Sequence, residues 1–187
     1  MIFALYERPQ GVAVGDEPTG QPRVLYDLEH DVATLGPGHV SSPALVWAID
    51  SLVTDRYKDD AALAIEVELD PATAWLVRCD RVDFPPGGVA YRHVHPGPGI
   101  RRLLFGELTI ESPEGTQTHR AGDAWFEGAD FPVLATASAT EDTAFVRVLL
   151  LPAEWTGKRT IRYVDPADEE RPKLQRATNL LEEPLRR

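Results

Sequence analysis

The chain has 187 residues, 43% of them apolar, and a formal net charge of −11. That length suits one domain with extensions and is enough to bury a sizeable core. The acidity argues against nucleic acid and anionic membrane surfaces as partners, because phosphate recognition needs a basic face. Cys79 is the only cysteine, so no internal disulfide forms, and a thiol-only chain suits a reducing compartment. The opening "MIFALYERPQ" is too short and too soon acidic for a signal peptide. No apolar run approaches bilayer-spanning length, and a cytoplasmic location is the expectation.

Residues 1–40 are rich in Gly, Pro and Asp and read as short strands between turns. "ALVWAID" (44–50) reads as a buried strand, and "ALAIEVEL" (62–69) alternates with the period of a half-buried one. "AWLVRCDRVDF" (74–84) resumes strand character until "PPGG" breaks it. "VAYRHVH" (89–95) is the next strand, closed by "PGPG". "IRRLLFGELTIES" (100–112) reads as two strands meeting near Gly106, and "PEGT" as a hairpin loop. "QTHRAGDAWFEGADFPVLATAS" and "TAFVRVLLLP" add further strands. Many short strands at regular spacing, with no long helical periodicity, argue for an all-β sandwich or barrel. After Pro152 the chain turns polar, and "PADEERPKLQRATNLLEEPLRR" has room for one short helix between prolines.

Chemistry concentrates in "GGVAYRHVHPGPGI" (87–100). Side chains at i and i+2 of a strand share a face, so His93 and His95 project together, with Tyr91 beside them. Imidazole is a common ligand of Zn, Fe, Ni and Cu, and two on one strand supply half a metal site. Against this stands the plainer reading of two cavity or surface histidines without a metal. Gly87, five residues, His93, one residue, His95, a Pro/Gly turn and then Gly106 resemble the first motif of the cupin superfamily, G(x)5HxH(x)3–4E(x)6G. Gly122 starts a degenerate match to the second motif, G(x)5PxG(x)2H(x)3N. The resemblance spans residues from about 74 to 152. It implies a double-stranded β-helix, or jelly-roll barrel, with the site in the barrel mouth. It also implies a homodimer.

The departures from the motifs matter more. Gly99 stands where the family's glutamate ligand would be, and Val133 where its third histidine would be. The second motif's Pro and Gly positions hold Gly128 and Asp130. Only His93 and His95 remain of four ligands, with Glu127 the first candidate to complete the set. Arg101 has the parity of the missing glutamate, so it faces inward as an anchor for a carboxylate or phosphate. Trp125 is a candidate cavity wall against ligand, and Tyr91 and Glu127 are candidate proton carriers. His119 is expected to be exposed, and His30 and His39 to lie away from the site. No phosphate loop, nucleophile elbow or CxxC pair occurs, so no nucleotide or organic cofactor is expected.

The expected organisation is an N-terminal extension over 1–60 packing on the barrel, a cupin-like barrel over 61–152 and a C-terminal tail over 153–187. Two functional readings stay open. In one, a divalent Fe, Zn, Ni or Mn on His93, His95 and Glu127 serves a small-molecule enzyme of oxygenase or isomerase/lyase type acting on an anionic substrate. In the other, the barrel holds a small ligand without metal or catalysis.

Overall fold

Period-two alternation along the longest strands decides the architecture, because each such strand carries two unlike faces. A computed structural model describes residues 1–15, 21–50 and 60–185; part of the Gly/Pro-rich N-terminal run lies outside them. Its strands, all paired antiparallel, form three five-stranded sheets and a ribbon. The N-terminal sheet has the order β4 (Val32–Leu35), β3 (Arg23–Asp27), β6 (Ala44–Asp50), β1 (Ile2–Arg8), β7 (Leu63–Glu66). The central sheet runs β13 (Ala124–Glu127), β10 (Gly99–Phe105), β15 (Thr143–Pro152), β8 (Trp75–Phe84), β17 (Arg176–Pro184). The third runs β12 (Gly115–Arg120), β11 (Glu107–Ser112), β14 (Val133–Ala137), β9 (Val89–Val94), β16 (Arg162–Tyr163). The ribbon joins β2 (Val12–Val14) to β5 (Gly38–Val40) and packs its valines on the far face of the N-terminal sheet.

The central and third sheets face one another as the two halves of a jelly roll. Val82, Phe84, Leu103 and Phe145 of one meet Leu108, Ile110 and Val133 of the other. The opposite face of the central sheet presents Val77, Cys79, Ile100, Val146, Val148 and Leu150 to Phe3, Leu5, Tyr26, Leu45 and Trp47 of the N-terminal sheet. Each fully buried aliphatic or aromatic side chain there contributes about 1.5–3 kcal/mol, which makes this layer the main store of stability. Trp47 also donates its indole N–H to the carbonyl of Ile100 at 3.2 Å.

Three expectations change. Strand β7, read as the start of the barrel, pairs with β1 and belongs to the N-terminal sheet. Alternation reports that a strand has two faces, not which sheet it joins. Among the described residues the polar tail holds no α-helix: Pro166–Glu170 is a short 3-10 turn, and β17 pairs along β8 as an edge strand of the barrel. His119 is buried rather than exposed, its ring stacked on Trp125 with centroids 4.5 Å apart. Among the described residues no helix is long and apolar enough to cross a membrane.

Candidate functional site

The inner face of the central sheet is apolar at one end and charged at the other. Residues of one parity in β8 turn Arg78 and Asp80 inward, along with Val82 and Phe84. In β15 the inward set includes Phe145 and Arg147, and β10 and β13 add Arg101, Trp125 and Glu127. Strand register sets Arg101 beside Arg147, and Arg147 beside Asp80. Strand β9 of the third sheet contributes His93, and the residue just beyond its end, His95, joins it in the cavity. Together with residues 157–161 and alternate residues from Lys173 to Asn179 of the tail, these groups line a cavity of about 540 Å³.

Two ion pairs organise the charged end. Arg147 donates from Nε and Nη2 to Asp80 Oδ2 at 3.2 and 3.0 Å. Its Nη1 donates to Nε2 of His95 at 3.0 Å. A guanidinium only donates, so that bond fixes His95 as the tautomer protonated on Nδ1. Arg101 is 1% exposed; its Nη2 lies 2.6 Å from Glu127 Oε2, and its Nη1 donates to the carbonyl of Gly99 at 2.7 Å. The second oxygen of Glu127 accepts from the Trp125 indole at 2.9 Å. Burial pulls the Arg101 guanidinium down to about 10, against the pull of Glu127, so it stays charged at neutral pH.

His93 Nδ1 lies 2.7 Å from the carbonyl of Tyr91, which can only accept, so Nδ1 carries the proton and Nε2 keeps a bare lone pair. Burial pushes His93 down to about 4, with Glu127 opposing and the two arginines assisting. Burial and Arg147 also hold His95 well below its ordinary value. Both imidazoles are neutral at pH 7. Their rings meet edge to face at a centroid distance of 5.0 Å.

Tyr91 does not join them. Between the pairs His93↔Val133 and Ala90↔Ala135 the register slips, so β9 carries one residue more than β14 over that stretch. This β-bulge reverses the parity, turns Ala90 and His93 inward together, and leaves Tyr91 outside the cavity with Arg171 3.8 Å over its ring. A catalytic role for Tyr91 is therefore withdrawn. Arg101, Trp125 and Glu127 do line the cavity, as do both histidines. His39 sits on β5, in the ribbon beyond the N-terminal sheet. Cys79 is buried on the outer face of the central sheet, where its thiol is pushed up by desolvation.

Arg78, Asp80 and Arg147 were missed by sequence reasoning. The signal lay in their isolation, since a charge inside "WLVRCD" or "FVRVLLL" interrupts an otherwise apolar strand. The tail residues Lys158, Arg159 and Lys173 at the cavity rim carried no such signal.

The donor set does not fit a metal ion. Among the described residues no three of His, Cys, Asp or Glu gather to hold one. His95 Nε2 is engaged by Arg147, and Glu127 is spent on Arg101 and Trp125 rather than aimed at the imidazoles. Gly99 is part of the same exchange. A Cβ there would lie 2.4 Å from Leu149 Cδ2 and 2.9 Å from Arg101 Nη1, so the guanidinium fills space that a side chain at 99 would need. A third ligand from Glu127 is withdrawn on this geometry.

No family model matches the sequence, and no curated protein matches it. Among solved structures, the chain is similar to the polyketide cyclase RemF from Streptomyces resistomycificus, at 18% identity and a TM-score of 0.39. That match covers 51% of this chain and 64% of the cyclase, less than two thirds of its length. A cupin domain from Bordetella pertussis matches at 23% identity and a TM-score of 0.36, covering 46% of this chain and 88% of that one. AerE from Microcystis aeruginosa matches at 16% identity and a TM-score of 0.42, covering 81% and 82%. With two facing antiparallel sheets packed through one apolar interior, the chain has the architecture of a jelly-roll barrel.

Proposed function

We propose that this chain is a small-molecule-binding cupin whose site works without a metal. One observation carries the reading: side-chain cations stand among the imidazoles, Arg147 on His95 and Arg101 against Gly99. A dication added there would meet two fixed guanidinium charges, while each nearby carboxylate is already paired. Recognition is favoured over proton transfer, because an imidazole held down at about 4 is a weak base at neutral pH. A catalytic reading keeps one observation in its favour, the bare Nε2 of His93 in the cavity, which is a position for a general base.

The test is metal content by mass spectrometry on tag-free protein purified without chelator, then reloaded with Fe, Zn, Ni or Mn. The expected result is metal far below one ion per chain, unchanged in a His93→Ala/His95→Ala variant. Near-stoichiometric metal that disappears in that variant overturns the proposal.

A further inference from the structure

The charges around the cavity are unevenly balanced. Deep in the barrel each cation has a carboxylate: Arg101 has Glu127, Arg147 has Asp80, and Arg78 has Glu182. At the rim the ratio changes. Lys158, Arg159 and Lys173 line it, and Glu169 alone serves two of them, at 2.7 Å from Arg159 and 3.8 Å from Lys173. Among the described residues no carboxylate pairs with Lys158. A surplus of positive charge on the rim of a concave, low-dielectric cleft concentrates anions there, and it does so here on a chain of net charge −11.

Rim and interior are joined through one aromatic residue. Tyr163 of β16 is the cross-strand partner of His93. Its ring carries Arg159 at 5.3 Å and Lys173 at 5.2 Å. Arg159 and Lys173 therefore contact the ring of the residue that neighbours His93 across the strand pair. His93 offers the cavity an acceptor and no proton, because its Nδ1–H is given to Tyr91. A bare carboxylate facing that lone pair would be repelled, whereas a hydroxyl would donate to it. Beyond the imidazoles lie Phe84, Phe145, Ile110, Val133 and the face of Trp125, which accept an apolar body. The volume of about 540 Å³ suits an organic molecule of one or two rings rather than an inorganic anion.

We infer that the ligand is a hydroxylated aromatic acid, with its acid group at the Lys158–Arg159–Lys173 rim, its hydroxyl donated to His93 Nε2 and its ring on the apolar wall. This inference rests on the binding reading above and gives the ligand its chemical class. It accounts for features that metal loss alone does not require: the fixed tautomer of His93 and the surplus of cations at the rim.

The experiment titrates the full chain with 6-hydroxy-2-naphthoate, 2-naphthoate and 2-naphthol at neutral pH, reading their own fluorescence anisotropy, with chelator and again with added zinc. The hydroxy acid is expected to bind at least tenfold tighter than either analogue. Lys158→Glu, at an exposed position, should cancel most of the advantage of the acid over 2-naphthol. His93→Leu should make the hydroxy acid and 2-naphthoate equal. Equal binding of all three by the unmutated chain, or binding of none, overturns the assignment even if His93→Leu fails to fold. Binding that appears only with zinc overturns the metal-free reading instead, and the ranking of the three probes then still judges the ligand class.

Discussion

The two faces of the central sheet are built from alternate residues of the same strands and could hardly differ more. In β15, Val146, Val148 and Leu150 face the N-terminal sheet and pack into its hydrophobic core. Their neighbour Arg147 faces the barrel and meets Asp80 and His95. In β8, Val77 and Cys79 lie on the dry side and Arg78 and Asp80 on the wet one. The comparison teaches that the fold is held by one face and the chemistry by the other. An apolar layer that buries the outer face on both sheets can offset the cost of desolvating charged groups a few ångströms away. The N-terminal extension is then the structural support of the barrel wall rather than an ornament of it.

The largest expected loss breaks the dry side. Trp47→Ala removes a fully buried indole and its bond to Ile100, and should cost about 3–5 kcal/mol in urea denaturation. A loss below about 1 kcal/mol would show that the layer is not the store of stability described here. On the wet side, Glu127→Ala leaves Arg101 buried without its counter-charge and should also cost about 3–5 kcal/mol. The double variant Arg101→Met/Glu127→Leu should cost less than Glu127→Ala alone, because no lone charge remains. If the double is the worse of the two, the pair contributes net stability and the contrast between the faces weakens.

Smaller effects sharpen the contrast. Gly99→Glu restores the residue type of the family motif, yet its Cβ collides with Leu149 and Arg101, so about 1–3 kcal/mol of overpacking is expected. Metal uptake by Gly99→Glu, measured by mass spectrometry, should remain absent while Arg101 is present. The buried imidazoles give a pH signature. The unfolded chain protonates His93 near 6.5 and the folded one only near 4, so the unfolded state binds more protons between those values. Stability should therefore fall as pH drops from about 6.5 to about 4, read as a falling urea midpoint. Glu127, Arg147 and Arg101 are the charged groups acting on His93, and a His93→Gln variant should flatten the slope. Least of all should be Arg120→Ala, which breaks an exposed pair with Glu107 and should change stability by under about 0.5 kcal/mol.

The jelly roll was legible because alternation and Gly/Pro turns are local signals, and β8 to β15 carry them plainly. Parity also turned Arg101 inward, since β10 runs without a break from Gly99 to Leu103. Parity misled at Tyr91, where one extra residue in β9 inverts the count and nothing in "VAYRHVH" announces it. It left Glu127 open between a ligand, a base, a partner for Arg101 and an exposed carboxylate, because the choice depends on how far a guanidinium two strand positions from Gly99 folds back. Strand β17 was hidden because "RATNLLEEP" on a barrel edge is half solvated and reads as polar tail. The rim cations were beyond reach as well: the pairing of β16 with β9, the bonds from Arg78 to the carbonyls of Trp155 and Lys158, and the docking of β17 bring the tail to the cavity, and no local pattern announces them.

That docking has a consequence for how the molecule is made. Arg78 and Glu182, which clasp each other across β8 and β17, are 104 residues apart in the chain. A nascent chain on the ribosome exposes the histidines and most of the outer layer well before β17, with Leu180, Leu181 and Leu185, can close the barrel edge. Until residues 176–184 emerge, the β8 edge presents unpaired N–H and C=O groups, an invitation to pair with another copy. Slow, concentration-dependent refolding, and growth of aggregates in chains cut before β17, are the behaviours such late closure produces.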